Sequence, residues 1–304
     1  MTDPGTDSVP EGPEIAVVTV TYSPGPYLDG FLASVPAATT RAPRVLMADN
    51  GSVDGVPEAA AAKFSYATLL RTGANLGYGG AINFAVAQIP PTVEFVLIAN
   101  PDVSFSPGAV DELLAAARRL PDAGALGPLI RDPDGTVYPS ARQVPRLTSG
   151  AGHALLGTVW RSNPWTTAYK QAEAAVTERD AGWLSGSCLL VRRAAFDAIG
   201  GFDDRYFMYM EDVDFGDRLA RAGWRNVYVP SAEIVHAKGH AAGREPERML
   251  PAHHASAYRF FADRHPGPAR LPLRLALRAG LTARSRLTVA LARRARQRGD
   301  ADPT

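Results

Sequence analysis

The densest group of reactive side chains lies in the segment 206–218 (YFMYMEDVDFGDR), which places Glu211, Asp212, Asp214 and Asp217 at the start of a predicted helix. Carboxylates favour the positive end of a helix dipole, which alone accounts for acidic residues there. Helical geometry, at roughly 100° per residue, separates the four. Asp212 falls on the face of Phe215, Gly216 and Leu219, whereas Asp214, Asp217, Arg218 and Arg221 cluster on the opposite face. On this reading Asp214 and Arg218 form an ordinary surface pair, and Glu211 lies between the two faces. Asp212 alone points with the apolar stripe, where a carboxylate needs a partner or a task such as general base.

A second group is spread over the first hundred residues. Three apolar runs end in polar residues: Thr21-Tyr22, Asp49-Asn50 and Asn100-Pro101-Asp102. Each is also ordinary turn chemistry; their recurrence at strand ends is what points to a site. The loop 75–83 (NLGYGGAIN) brings three glycines to the start of a helix. Glycine allows close backbone approach to a ligand, and a helix N-terminus favours phosphate; a flexible helix start is the alternative. It is neither a dinucleotide fingerprint, since the run reads Gly77-x-Gly79-x-x-Ile82 and follows the third strand, nor a G-x-x-x-x-G-K-[ST] phosphate loop. His236 ends a short strand (EIVHAKG). It is either structural or, with Asp102 and a substrate phosphate, part of the shell of a hard divalent cation, which takes few protein ligands.

The elements that must position these residues follow from hydrophobic patterning. Residues 15–22, 44–48, 67–71 and 93–99 read as strands, with helical patterns near 26–37, 54–64, 79–88 and 107–120. Alternation of this kind predicts an α/β, Rossmann-like half with a mostly parallel sheet, whose ligands bind at the carboxyl ends of the strands. The second half predicts a hairpin around Asp132-Pro133-Asp134-Gly135, a loop-rich, loosely helical stretch over 140–180, and a strand at 183–192 followed by a helix at 193–199. A helix over 211–222, short strands near 225–229 and 233–237, and helices over 251–263 and the basic tail complete it.

The 304 residues, 46% hydrophobic and 21% charged, suit one large α/β domain with a small appendage. Cys188 is the only cysteine, which excludes an intrachain disulfide and a cysteine-based zinc site. Residues 1–13 are polar, rich in Pro and Gly, and read as a disordered N-terminus without a secretory signal. No apolar run approaches the roughly 20 residues of a membrane span, so the expectation is a cytoplasmic protein with at most peripheral membrane contact. The net charge of +1 hides an asymmetry: ten arginines lie from Arg264 to Arg298, with no Asp or Glu among them. Arg270, Arg274 and Arg278 form one stripe and Leu273, Leu277 and Leu281 another. This suits a helix on an anionic membrane surface, and equally a helix packed on the acidic body or a disordered end. The tail lacks base-stacking aromatics, which sets nucleic acid aside as a partner. Oligomeric state is not legible; a homodimer is carried as a working assembly.

Taken in order, VVTVTY, ADNGSVDG, NLGYGGAIN, NPDVSF, WLSGSCLLVRRAAFDAIGGFDDRYFMYMEDVDFGDR and the late His236 resemble glycosyltransferase family 2, whose members have the GT-A fold. The resemblance spans residues of about 15–240, so that 14–240 would be the GT-A domain and 241–304 a helical, Arg-rich, membrane-associating segment. Within the family, N-P-D-x-x-F and GGFDDRYFMYMED look most like bacterial rhamnosyltransferases. The resemblance implies an inverting transferase that moves L-rhamnose from dTDP-L-rhamnose to a GlcNAc-diphosphoryl-polyprenol in cell-wall biosynthesis, at the inner face of the plasma membrane. It implies that Thr21, Tyr22 and Asp49 bind the pyrimidine base, that Asn75, Gly77 and Asn83 line the ribose and diphosphate region, and that Asn100 and Asp102 also belong to the nucleotide-sugar site. Asp102, the counterpart of the D-x-D motif, would hold Mg²⁺ or Mn²⁺, with His236 as a second ligand or a phosphate contact; Asn100 stands where that motif has its first Asp. Asp212 would be the catalytic base, with Trp183, Ser185, Gly186 and Glu211 bordering the acceptor. Other family 2 activities, galactofuranosyl or glucosyl transfer from a UDP-sugar, suit the same contacts. A sugar nucleotidyltransferase would carry G-x-G-x-R after the first strand, where Ser23-Pro24-Gly25-Pro26 stands; a non-catalytic scaffold would not need both Asp102 and Asp212.

Overall fold

The computed structural model describes residues 15–42, 44–145, 176–238 and 246–299, with side chains in the C-terminal helices described for 251–286. The expected disordered N-terminus at 1–13, and most of the loop-rich stretch 140–180, lie outside the described residues.

Strands β1 (Ile15–Thr21), β2 (Val45–Asp49), β3 (Ala67–Arg71) and β4 (Phe95–Ala99) alternate with helices α1 (Tyr27–Ala38), α2 (Val56–Lys63) and α3 (Gly77–Val86). β2 and β4 are buried along their whole length, which is why they read as unbroken apolar runs: helices cover both faces of a parallel sheet. Then come β5 (Val103–Phe105), α4 (Ala109–Arg119), β6 (Ala123–Arg131), β7 (Val137–Tyr138), β8 (Ala141–Arg142), β9 (Arg179–Ala181), β10 (Trp183–Leu184) and β11 (Cys188–Arg192). Helix α5 (Arg193–Ala198), helix α6 (Glu211–Arg221), β12 (Arg225–His236), helix α7 (Pro246–Arg264), a 3₁₀ turn at Pro268–Arg270 and helix α8 (Leu271–Gly299) follow.

The main sheet runs β3-β2-β1-β4-β11-β6-β12-β5, with β7 on β6 and β9 on β12; β10 and β8 form a separate pair. The first four strands are parallel, β11 is antiparallel to β4 and β6, and β12 is parallel to β6. This pattern decides where chemistry gathers. Because β11 runs against β4, with Cys188 opposite Ala99, the residues leading into β11 arrive at the edge where β4 ends. Because β6 and β12 run with β4, the end of β12 at His236 reaches that edge too. Two apolar layers flank the sheet. Leu28, Phe31, Leu32 and Val35, at helical spacing on α1, pack on one face with α4. Ile82, Ala85 and Val86 of α3 pack on the other with Phe196, Phe202 and Phe215. Each fully buried large apolar side chain contributes about 1.5–3 kcal/mol.

Three expectations are corrected. The strand over 183–192 is two strands in different sheets, interrupted by a turn at Ser185-Gly186-Ser187. The short strands near 225–229 and 233–237 are one strand whose register slips between Val229 and Glu233, around Pro230, which has no N–H to donate to a ladder. Asp214 is not a surface residue: it is buried, paired with Arg218 at 2.6 Å. The reason is α7, whose Arg264 lies 3.8 Å from Asp214 and 2.5 Å from Asp217 and whose Phe260 packs against Tyr206 and Val213. The acidic face of α6 is therefore covered by the first part of the basic C-terminal region, and α8 folds back along α7. Arg270 lies in the 3₁₀ turn, outside the helix that carries Arg274 and Arg278.

Candidate active site

The edge formed by the ends of β1, β2, β4 and β12 collects most of the residues singled out in the sequence. At the β1–β2 end, Thr21 Oγ donates to Asp49 Oδ1 at 2.9 Å. Asp49 also accepts from the Ser52 N–H at 3.2 Å and lies 3.4 Å from the Arg71 guanidinium. The carboxylate is thus held rigidly, with its side chain 1% exposed. Tyr22, one residue past β1, is exposed.

Asn50, the second of the polar pair that ends β2, ties this end to the glycine loop: its Nδ2 donates to the Gly77 carbonyl at 3.0 Å and its Oδ1 accepts from the Leu76 N–H at 3.3 Å. Asn75 accepts from the Gly77 N–H at 3.0 Å. Gly77 itself has φ +77°, and a Cβ there would lie 2.3 Å from the Phe207 carbonyl oxygen, so both conformation and space require glycine. Asn83, expected to line the ribose and diphosphate region, makes its hydrogen bonds to the segment 202–204. Its Nδ2 donates to the Phe202 carbonyl and to Asp204, and its Oδ1 accepts from the Phe202 N–H. It clamps the segment that leads to α6.

Tyr78, unremarked in the sequence, is the bridge to the carboxylate pair. Its hydroxyl donates to the Gly186 carbonyl at 2.6 Å, and the Gly186 N–H donates to Asp212 Oδ2 at 3.1 Å. Burial raises the Tyr78 phenol well above its usual range, helped by the charges of Glu211, Asp212 and Asp102. One side chain therefore feels both carboxylate groups. An aromatic embedded in a glycine loop was the available signal. The turn carrying Gly186 continues to Ser187, whose carbonyl accepts from the Asn100 N–H at 2.9 Å. A continuous set of hydrogen bonds thus runs from Asp212 to the segment of Asn100 and Asp102.

Local structure explains the position of Asp212. Tyr209 and Met210 both have positive φ, 66° and 67°, an uncommon conformation for large residues. This sharp reversal starts α6 at Glu211. One turn later, a Cβ at Gly216 would lie 2.8 Å from Trp183 Cβ, so glycine lets α6 pack against β10 and brings its first turn to Gly186. Glu211 is buried, and its Oε2 has no hydrogen-bond partner. Burial and then the neighbouring Asp212 charge raise it to about 8. Burial raises Asp212 as well, but its carboxylate accepts backbone N–H groups from Gly186 and Val213, which favour the ionised form. The two adjacent carboxyls sit in unequal settings, which favour the proton on Glu211 and the negative charge on Asp212. The acceptor-side residues Trp183 and Ser185 flank the same turn. Trp183 Nε1 donates to the Gln143 carbonyl at 3.1 Å, and Ser185 Oγ lies 3.0 Å from Ser187 Oγ.

At the far side, β5 pairs Val103 with His236, which sets Asp102 Oδ1 3.1 Å from His236 Nε2; Asn100 Nδ2 lies 3.5 Å from the same nitrogen. Two ligands bound at right angles, each about 2.1 Å from a Mg²⁺-sized ion, are about 3 Å apart. As they stand, Asp102 and His236 are in hydrogen-bond contact, and the same oxygen and nitrogen lie side by side as a donor pair of the type a hard divalent cation takes. Among the described residues no group of three or more His, Cys, Asp or Glu could hold a metal by itself, so the remaining positions would fall to substrate oxygens and water.

The chain matches glycosyl transferase family 2 over residues 16–200. It is 58% identical over 294 residues, 93% of this chain and 96% of the relative, to the N-acetylglucosaminyl-diphospho-decaprenol L-rhamnosyltransferase of Mycobacterium tuberculosis (strain H37Rv). Two solved structures share the fold. S. aureus TarS 1–349 in complex with UDP-GlcNAc has a TM-score of 0.55 at 16% identity, covering 80% of this chain and 65% of that one. The mannosyltransferase of Pyrobaculum calidifontis in complex with GDP-Man and Mn²⁺ has a TM-score of 0.52 at 19% identity, covering 99% and 80%.

Proposed function

This chain belongs to glycosyl transferase family 2, a glycosyltransferase with the GT-A fold, and from that premise we propose that it transfers L-rhamnose from dTDP-L-rhamnose, with inversion, to the sugar of a GlcNAc-diphosphoryl-polyprenol. The high identity to the mycobacterial rhamnosyltransferase across nearly the whole of both chains supports the donor and the acceptor. The observation that carries the chemistry is the Glu211–Asp212 pair, with Asp212 anchored on the Gly186 N–H at 3.1 Å and connected through Ser187 to the Asn100–Asp102 segment.

The donor's pyrimidine lies against Tyr22 with Asp49 accepting from its ring N–H, and its diphosphate approaches the glycine loop near Asn75 and Gly77. Asp102 and His236 would hold a divalent cation, Mg²⁺ or Mn²⁺, which would supply neutralisation of the charge on the leaving nucleoside diphosphate. Asp212 takes the proton from the acceptor hydroxyl as that oxygen attacks the anomeric carbon. Glu211, neutral beside it, leaves the single negative charge on the base. One displacement from a β-linked donor yields an α-linked product. The tail supports peripheral membrane association: Leu271 and Leu275 are exposed on the side of α8 that carries Arg274 and Arg278, and each arginine near an anionic surface contributes about 1 kcal/mol. Among the described residues no helix is long and apolar enough to cross a membrane.

The test is acceptor-dependent nucleotide release from a panel of dTDP- and UDP-sugars, with wild type and Asp212→Asn. Release of dTDP from dTDP-rhamnose only in the presence of the lipid-linked GlcNAc, reduced 10²–10⁴-fold in the variant, is expected. Preference for a UDP-sugar would move the chain to another activity within the family, and undiminished turnover by the variant would remove Asp212 as the base.

A further inference from the structure

Arg142 stands apart from the other arginines around the site. Arg131, Arg192, Arg218 and Arg225 each pair with a carboxylate at 2.6–3.2 Å. Arg142 has no such pair among the described residues. Its Nε donates to the Pro139 carbonyl at 2.8 Å, and its guanidinium lies over two aromatic rings, 5.3 Å from the Tyr138 centroid and 5.5 Å from that of Trp183. The terminal nitrogens are left without a protein hydrogen bond among the described residues, and the aromatic rings hold the planar group in place.

Its position is fixed by the small sheet. Arg142 is opposite Trp183 in the β8–β10 pair; the Ser185 N–H donates to the Ser140 carbonyl at 2.7 Å, and the next residue, Gly186, donates to Asp212. The cation is thereby built into the frame that carries the base, close enough to favour the ionised form of Asp212 yet making no hydrogen bond to it. A second cation shares Tyr138: Lys238 Nζ lies 4.4 Å from that ring, two residues past His236, with positive φ of 53° turning the chain there. Lys238 is paired with Asp132 and is more exposed.

We propose that Arg142, assisted by Lys238, is the subsite that takes the diphosphate of the acceptor, setting its sugar hydroxyl against Asp212. The inference rests on the reading that the acceptor is a diphosphate-linked sugar. A guanidinium with an open fork is suited to bidentate phosphate recognition, and an acceptor whose sugar lies at the base must bring its diphosphate within about one sugar ring of it. The donor's diphosphate is the other source of the same chemistry, and the experiment separates the two.

Initial rates are compared with two acceptors, a short-chain prenyl-diphospho-GlcNAc and a neutral alkyl GlcNAc glycoside, for wild type, Arg142→Ala, Arg142→Lys and Lys238→Ala. Titrations with dTDP and with the diphosphate acceptor accompany them. Arg142→Ala is expected to raise KM for the diphosphate acceptor at least tenfold more than KM for the neutral glycoside, with dTDP affinity changed less than twofold. Arg142→Lys should fall between, and Lys238→Ala should raise the diphosphate KM a few-fold. Equal effects on both acceptors, or weakened dTDP binding, would overturn the assignment. If wild type binds the diphosphate acceptor in an Arg142-dependent way but transfers no sugar, the subsite stands and the functional reading fails. If wild type does not bind it, both fall.

Discussion

Replacing Glu211 by Gln tests the division of roles between the two adjacent carboxyls. Glu211 is buried, its Oε2 lacks a partner, and burial and then the Asp212 charge raise it from 4.5 to about 8. In the unfolded chain it ionises at its ordinary value. The folded protein therefore binds this proton more tightly than the unfolded one. The associated stability is fully present below pH 4.5, declines as pH rises, and is gone above about 8. Between pH 5.5 and 8.5 the loss from this one group is about 3 kcal/mol, a large share of the 5–15 kcal/mol that holds a typical domain. Glutamine reproduces the shape of the protonated form and has no proton to lose. Urea unfolding of both proteins at the two pH values reads the titration of the Glu211–Asp212 pair, since the titrating groups outside that pair are common to both. Wild type should lose about 3 kcal/mol more than the variant on going to pH 8.5. An identical pH dependence, within about 0.5 kcal/mol, would mean that Glu211 is ionised in the native state and that the assignment of the charge to Asp212 is wrong.

Arg264→Ala removes the cation that α7 sets between Asp214 and Asp217; with side chains only 7–17% exposed, the loss should be about 3 kcal/mol, read as a fall of several degrees in thermal midpoint, and a shift below one degree would refute the docking of α7. Gly77→Ala forces a Cβ against the Phe207 carbonyl at positive φ, costing about 2–3 kcal/mol and weakening dTDP binding by calorimetry; unchanged affinity would separate the glycine loop from the nucleotide. Chelation should abolish transfer and added Mn²⁺ restore it. Asp102→Asn or His236→Ala should raise the Mn²⁺ needed for half-maximal rate tenfold or more, and an unchanged requirement would place the metal elsewhere.

What could be read from the sequence depended on how local the determinants are. β1, β2 and β4 announce themselves because sheet burial on both faces makes each a nearly continuous apolar run, whereas β3, at the sheet edge and only partly buried, is the weaker signal. Asp212 was legible because the helical period compares it only with neighbours within two turns. Asp214 was misplaced for the same reason: the helix that buries it begins at Pro246, and no local pattern shows it. The interruption at Ser185–Ser187 is imposed by a hydrogen bond to a residue 26 positions away, and β5, β8 and β9, two or three residues each, exist only through their partners. Tyr78 and Arg142 were missed because their significance lies in what the fold brings to them, Gly186 in one case and two aromatic rings in the other.

The dependence of α6 on α7 bears on how this protein can be divided. Residues 16–200, the span matched to the family, contain the nucleotide-side edge but neither Asp212 nor His236. Ending the chain near residue 240 restores both, yet it strips Phe260 from Tyr206 and Val213, withdraws Arg264 from Asp217, and removes the Ser256 hydroxyl that donates to the Met208 carbonyl at 3.0 Å. The reversed backbone at Tyr209 and Met210 would then lose its outer support two residues before the base. A shortened protein of that kind should still recognise nucleotide while failing to turn over, so its inactivity would be no measure of membrane attachment.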